Sequence, residues 1–353
     1  VSGDACVAAR QDAGTPIVAV VGPTAAGKAG FARQLAQELG WGLLVCDSVK
    51  AVQGLDIGSA KPSRAERQRW RYEGLDLVAP DRDFGALDWC RAADAAVARG
   101  PCLVVGGTGF YLRAWAYGVD PIPGGDLPRS DPERAAFEAR WTAAEHEQAG
   151  ATHAALAQID AATAATIDPR NVVRSVRALW LCERHRGPLP REPAGPRAPR
   201  TPLRVIEVDP GAAPTAARVE ARAARMLRDG WLAEVEALVA AGYTREHKAM
   251  RSLGYAQLLA VVSGTATLPA AQAEIVAATR RYARRQRTFV RHQFPGAAVL
   301  RLAEHFPQAA ALAAREPEGW PPPAARALAL AFAREPPLPP PSSPPLAPPL
   351  VHP

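Results

Sequence analysis

Uninterrupted apolar runs punctuate the first third of the chain, and each one stops at a residue suited to a tight turn. Ile17 to Val21 runs into Gly22-Pro23, Leu43 to Cys46 into Asp47, and Cys102 to Val105 into Gly106-Gly107-Thr108-Gly109. A strand that is apolar at every position, rather than at every second one, is covered on both faces, as in a parallel sheet. Helix-compatible stretches follow the first and third runs, from Gly27 to Leu39 and from Phe110 to Trp115. Strand, glycine turn and helix, repeated, predict an α/β domain with a parallel sheet.

The texture then changes. From Pro121 to Gly187 the chain is rich in Ala, Glu and Arg at helical spacing, with no convincing strand. A Pro/Arg segment from Gly187 to Pro202 carries six prolines, which forbid regular structure. Leu203 to Val208 reads as a strand returning to the sheet, and Val219–Ala240 and Ala270–His292 are the longest helical patterns. The expected layout is an N-terminal extension (1–16), an α/β core made of 17–120 and 203–305, a helical insertion (121–187) and a Pro/Arg loop (188–202). Beyond Phe306 the pattern fades, and residues 336–353 hold ten prolines in eighteen positions. The segment 306–353 is therefore expected to be a Pro-rich, disordered tail.

Composition narrows the class. Of 353 residues, 48% are apolar and 22% charged, which excludes disorder throughout. Lys plus Arg number 42 against 35 acids, a net charge of +7 that permits a polyanionic partner. The lysines are Lys28, Lys50, Lys61 and Lys248; arginine, whose planar fork suits phosphate, carries the rest. Cys6, Cys46, Cys90, Cys102 and Cys182 are scattered, without the spacing of a disulfide framework or a zinc site. No apolar run approaches the roughly 18 residues of a membrane helix, and the opening residues VSGDACVAARQDAG lack a signal peptide's basic and apolar halves. A cytoplasmic protein without membrane contact is expected.

The sharpest chemical signal is Gly22-Pro23-Thr24-Ala25-Ala26-Gly27-Lys28, lying between a strand and a helix. This spacing curls backbone N–H groups round a phosphate, aims a helix N-terminus at it and adds an ammonium. The next residue is normally Ser or Thr, whose hydroxyl helps hold Mg²⁺; here it is Ala29. Asp47 ends its strand where an open α/β sheet places ligands, and three roles stand open for it: metal-holding acid, general base, or helix cap. Ser48 shares the ambiguity. Gly106-Gly107-Thr108 could bring backbone and a hydroxyl to the same phosphates. No acid ends that third strand, which disfavours an ordinary ATPase.

A further signal lies in the long helical pattern. Arg280, Arg284, Arg287 and Arg291 fall on one helical stripe, widened by Arg281 and Arg285 about 100° away, while Tyr282, Gln286 and Phe289 occupy a packing face. With no interspersed acids the stripe predicts an anionic partner, and a nucleic-acid backbone is the natural one. Arg174 and Arg177 add a second basic point, which a nearby carboxylate could equally satisfy.

In order along the chain stand GPTAAGKA (22–29), CDSVKAVQGLDIGSAKP (46–62), VGGTGFYLRA (105–114), RSVRAL (174–179), RSLGY (251–255) and TRRYARRQRTFVR (279–291). Together they resemble the bacterial tRNA dimethylallyltransferase (isopentenyltransferase) family, from about Ile17 to Phe294. The resemblance implies a P-loop NTPase-like core and transfer of a dimethylallyl group from its diphosphate to N6 of adenine 37 in tRNAs, with Mg²⁺ as cofactor and a monomer as the working unit. It makes Asp47 the general base, places Thr108 at the reacting end, and lets Arg222 complete a diphosphate clamp with residues 22–29. A helix-surface arginine paired with Glu220 or Glu234 is the structural alternative for Arg222.

The resemblance further assigns tRNA contacts to Asp47, Ser48, Val49 and Lys50; to Val173, Arg174, Ser175, Val176 and Arg177; to Arg251, Gly254 and Tyr255; and to Arg284, Arg285, Gln286, Arg287 and Arg291. The helical insertion would embrace the anticodon stem. Besides Ala29, the sequence departs from the family at Val49-Lys50-Ala51-Val52, where a polar reader and an aromatic are usual, and at Tyr72-Glu73, where two histidines are usual. These departures motivate an alternative, an RNA-binding paralogue impaired in catalysis. A third reading, a P-loop small-molecule kinase, leaves the arginine stripe without a purpose.

Overall fold

The apolar runs form the middle of a parallel sheet. Its strands are β1 (Ile17–Val21), β2 (Gly42–Cys46), β3 (Tyr72–Glu73), β4 (Cys102–Gly106), β5 (Leu203–Glu207) and β6 (Ala298–Arg301), in the spatial order β3-β2-β4-β1-β5-β6. Every pairing is parallel, with Val18 opposite Leu103 and Arg204, and Leu44 opposite Val104. The computed structural model describes residues 16–118, 131–190, 198–312 and 320–335. They divide into two compact units, one holding 131–190 and the other holding the sheet with the remaining segments.

In the sheet unit the alternation along each strand feeds two cores. Ile17, Ala19 and Val21 face one side with Leu44, Val104 and Val205, against Trp89, Leu112 and Tyr117. Val18 and Val20 face the other with Val45, Leu103 and Ile206, against Phe31 and Leu35. This explains why the runs lack polar positions: neither face meets water. A further cluster unites the helices Ala212–Arg228, Trp231–Ala240, Tyr255–Val262 and Leu268–His292 round Trp231, Met250 and Tyr255.

The other unit is helical: Pro132–Glu147, Ala151–Ile159, Ala161–Ala164 and Val172–His185. Asp131 and Asn171 cap the first and last of these, and Phe137, Leu156, Leu179 and Trp180 form the core.

Three expectations change. The pattern read as one helix over 219–240 is two, broken where Gly230 takes φ 104. Short edge strands β3 and β6 and the helix Ala86–Ala98 join the fold. The expectation of a disordered tail over 306–353 is corrected in its described part, where helices span Pro307–Leu312 and Pro323–Arg334, while 313–319 lie outside the described residues. Ala325, Ala329 and Ala333, one turn apart, are buried with Trp320 against the helix Lys28–Leu39, and Arg326 pairs with Glu38 at 2.7 Å. Small side chains at that spacing allow close helix approach without a conspicuous apolar stripe. The proline cluster at 336–353, the extension 1–15 and Cys6 lie outside the described residues.

Candidate functional site

Three strand ends converge at the C-terminal edge of the sheet. After β1 the chain turns through Gly22 to Gly27, with Ala25 at φ 62 and Gly27 at φ 91, before the helix Lys28–Leu39 begins. A left-handed alanine is costly, by about 1–3 kcal/mol, and is retained where surrounding structure over-determines it. Lys28 Nζ donates to the Pro23 carbonyl at 2.5 Å, curling the ammonium over the loop. After β2, Asp47 Oδ1 accepts from the Val49 and Lys50 N–H groups (2.9 and 3.2 Å), so Asp47 does cap the turn that follows it. After β4, the Thr108 hydroxyl accepts from the Ser48 N–H at 3.2 Å and ties the two turns together.

Two cavities of about 380 Å³ each open here and share Thr24, Asp47, Ser59 and Arg222. The first is walled by the loop 24–30, Lys50, Tyr72, Gly106, Gly107 and Arg225. The second is walled by Val219, Ala223, Met226, Trp231, Leu253 and Ile275, with Ser48, Tyr282 and Arg285 as polar contributors.

The first cavity is electrostatically unbalanced. Burial, with Arg222 and Lys50 nearby, pulls the Lys28 ammonium down to about 7, against the attraction of Asp47. Burial also pulls Lys50 down to about 8, again opposed by Asp47, and lowers Arg222. Cations that depress one another's protonation in a partly buried pocket are stabilised by a multivalent anion. Other charges there are already matched: Arg33 pairs with Glu66 at 2.7 Å, and Lys61 with Asp56 and Asp76 at 2.7 and 2.6 Å.

Residues 52–293 match the sequence profile described as IPP transferase, and residues 15–76, which include the phosphate loop, match the one described as isopentenyl transferase. The chain belongs to the IPP transferase family. A tRNA dimethylallyltransferase of Anaeromyxobacter dehalogenans is 39% identical over 284 residues, covering 78% of this chain and 92% of that one. The Geobacter metallireducens enzyme of the same name is 36% identical, covering 80% and 91%. The fold is shared with the full-length tRNA isopentenylpyrophosphate transferase of Bacillus halodurans (TM-score 0.54, 24% identity, covering 86% and 97%). It is shared also with a eukaryotic dimethylallyltransferase described as acting on tRNA (TM-score 0.66, 18% identity, covering 89% and 78%).

Of the expected diphosphate residues in this IPP transferase, Thr24 to Ala29 and Arg222 line the first cavity, whereas Gly22 and Pro23 line neither; Asp47, Ser48, Val49 and Lys50 all line one cavity or the other. The structural alternative for Arg222 is removed: Glu220 is taken by Arg280 (2.5 Å), while Glu234 accepts from the backbone of Asp56, Ile57 and Gly58 and from Tyr255. The Thr108 hydroxyl serves the Asp47 turn and Tyr282, which lines the second cavity and whose phenol burial raises to about 12.

Several expected tRNA contacts are turned inward. Gln286 and Tyr255 are buried, and the Tyr255 hydroxyl is spent on Glu234 at 2.7 Å. Gly254 is buried at φ 90, under Trp231. Arg287 pairs with Asp209 (2.6 Å) and donates to the Gly211 carbonyl and Thr215. The arginine stripe is therefore partly neutralised by acids from other elements, and the expectation that only an external anion would relieve it is corrected. Arg251, Arg284, Arg285 and Arg291 are exposed. In the helical unit, Val173 and Arg174 are exposed and Arg177 half-buried, whereas Ser175 and Val176 belong to the core.

Of the departures, Tyr72 lines the first cavity, while Glu73 pairs with Arg99 at 2.6 Å. Sequence reasoning missed Arg225, another cation of that cavity. Its spacing of three from Arg222 on one helix is the signal that would have found it.

Proposed function

We propose that this chain transfers a dimethylallyl group from dimethylallyl diphosphate to N6 of adenine 37 in tRNA, releasing diphosphate. The observation that carries the reading is the seam: a phosphate-binding loop, a carboxylate and an arginine meet where a cationic cavity adjoins an apolar one. Family membership and the named relatives support the same reaction.

The diphosphate occupies the first cavity, held by loop N–H groups, Lys28, Lys50 and Arg222, so the donor's C1 lies at the seam. The adenine, extruded from the anticodon loop, enters from the second cavity, whose apolar wall suits a base plane and a prenyl tail. The N6 lone pair attacks C1, the C1–O bond breaks with its electrons passing to diphosphate, and Asp47 accepts the N6 proton. Lys28 and Arg222 stabilise the charge that grows on the leaving oxygen. Ser48 N–H and the Thr108 hydroxyl act as positioning groups, fixing the turn that carries Asp47.

Among the described residues no three His, Cys, Asp or Glu side chains converge on a metal position. A single carboxylate at the seam nevertheless fits Mg²⁺, which keeps several waters and relies on substrate phosphates. Asp47, through water, would meet an ion carried on the diphosphate, and the ion would supply further neutralisation of the leaving group. Exposed Arg251, Arg284, Arg285 and Arg291 would meet tRNA phosphates, as would Arg174 of the helical unit. No helix among the described residues is long and apolar enough to cross a membrane; a monomer acting on cytoplasmic tRNA belongs to the same proposed reading.

The test combines the full chain, dimethylallyl diphosphate, Mg²⁺ and an anticodon stem-loop with adenines at 36 to 38, read by mass spectrometry beside Asp47→Ala. One added prenyl group that vanishes in the variant supports the enzyme and its base together. Stem-loop binding with no product at any Mg²⁺ concentration would instead identify an RNA-binding paralogue.

A further inference from the structure

The long helix Leu268–His292 presents exposed arginines outward, yet its residue 286 does something different. Gln286 is only 7% exposed. Its Oε1 accepts from the Thr24 N–H at 2.7 Å, inside the phosphate loop, and its Nε2 donates to the Gly107 carbonyl at 3.0 Å, in the turn after β4. These partners lie 262 and 179 residues away along the chain. The amide is thus the cross-piece between two walls of the first cavity. Both ends are occupied, and the amide itself lines that cavity.

The partner wall is shaped for this. A Cβ at Gly107 would collide with Gln286 Nε2, so any larger residue there drives the amide out of place. The obstruction is the far end of a flexible side chain, which can swing aside without disturbing backbone.

We infer that Gln286 is a positioning residue that holds the phosphate loop against the Gly106-Gly107-Thr108 turn and so sets the spacing of the diphosphate cradle, rather than a reader of tRNA. The inference rests on the reading of the first cavity as the diphosphate site. Phosphate recognition by backbone N–H groups depends on their fixed directions. The loop already holds a left-handed alanine, and Gln286 occupies the Thr24 N–H that opens its bend. Removing the amide leaves a partly buried N–H and C=O without their partners and lets the two walls separate.

The experiment measures inorganic pyrophosphate binding to the full chain with Mg²⁺, beside stem-loop binding and steady-state kinetics. Gln286→Met is expected to weaken pyrophosphate by about tenfold or more. It should raise KM for dimethylallyl diphosphate with kcat largely recovered at saturation, and leave stem-loop affinity within about twofold of wild type. Gly107→Ala, which touches no RNA-facing residue, should reproduce the effect. The double variant should be no worse than either single one, because both remove the same pair of bonds.

If Gln286→Met loses stem-loop affinity and keeps pyrophosphate affinity, the residue is an RNA contact and the inference is wrong. Additive losses in the double variant would equally overturn it. Should Gln286→Met fail to fold, Gly107→Ala alone decides, with unchanged pyrophosphate binding as the overturning result. If the wild-type chain binds no pyrophosphate, the cavity reading itself fails and the inference falls with it. Wild-type binding that Lys28→Met abolishes and Gln286→Met does not would sink the inference alone.

Discussion

The two cavities that share Asp47 and Arg222 are made of different physical materials. One is lined by the phosphate loop and by cations, with Lys28, Lys50, Arg222 and Arg225 facing Asp47, while its other carboxylate, Glu66, is taken by Arg33. The other has an apolar wall of Val219, Ala223, Met226, Trp231, Leu253 and Ile275, and its polar lining is largely hydroxyls, among them Ser48, Ser59, Ser252, Thr279 and Tyr282. The first recognises charge, so its affinity follows pH and salt; the second recognises shape, so its affinity follows area buried. On the proposed reading the reacting atoms belong where the two meet, because there Asp47 would reach the acceptor while the cations still reach the leaving group.

The largest effect is expected at the seam. Asp47→Asn keeps an oxygen able to accept from Val49 and Lys50 N–H but cannot take a proton. Single-turnover prenylation should fall about a hundred- to ten-thousandfold while stem-loop and pyrophosphate affinities hold. An unchanged rate would remove Asp47 as the base. Next comes charge. Since the free Lys28 ammonium sits near 7, diphosphate binding should draw a proton onto it; affinity is full below that value and decays as pH rises from 7 to 9, by up to about tenfold per unit. Lys28→Arg, always charged, should remove the part of the slope that begins near 7 and leave the part that Lys50, near 8, contributes. A slope that still begins near 7 in the variant would place that titration elsewhere.

The shape cavity offers a smaller contrast. Ala223→Leu, placed in its buried wall, should raise KM for the stem-loop several-fold and leave pyrophosphate binding alone, at about 1–3 kcal/mol in stability. Equal losses in both ligands would dissolve the distinction between the cavities. The smallest effect is that of Ala29→Thr, which restores a hydroxyl to the loop and should lower the Mg²⁺ concentration for half-maximal rate a few-fold. An unchanged titration would make the hydroxyl dispensable here.

Much of the core was legible because burial on both faces leaves an unmistakable trace: Ile17–Val21 and Cys102–Val105 contain no polar residue. The loop at 22–28 was equally plain, since its spacing is its mechanism. Tyr72–Glu73 and Ala298–Arg301 were not, because edge strands of two and four residues with polar members carry no period. The arginine stripe was half legible. Its helix and its outward face could be read, but the acids Asp209 and Glu220 that engage Arg287 and Arg280 sit on other elements, 78 and 60 residues away. Gln286 fell on the packing face of the helical wheel. That it packs against a phosphate loop is a fact of tertiary structure, invisible to any local window.

The matched family profile stops at residue 293, but the sheet does not. β6 pairs with β5 through Arg204, Val205, Ile206 and Glu207, and the Arg204 guanidinium donates to the carbonyls of Phe332 and Ala333 at 2.9 and 3.2 Å. A recombinant fragment trimmed to the matched region would bare one whole side of β5, a row of unpaired N–H and C=O groups beside apolar Val205 and Ile206. Such an edge recruits other chains, so the shortened protein would be prone to aggregate through a surface the full-length chain keeps covered.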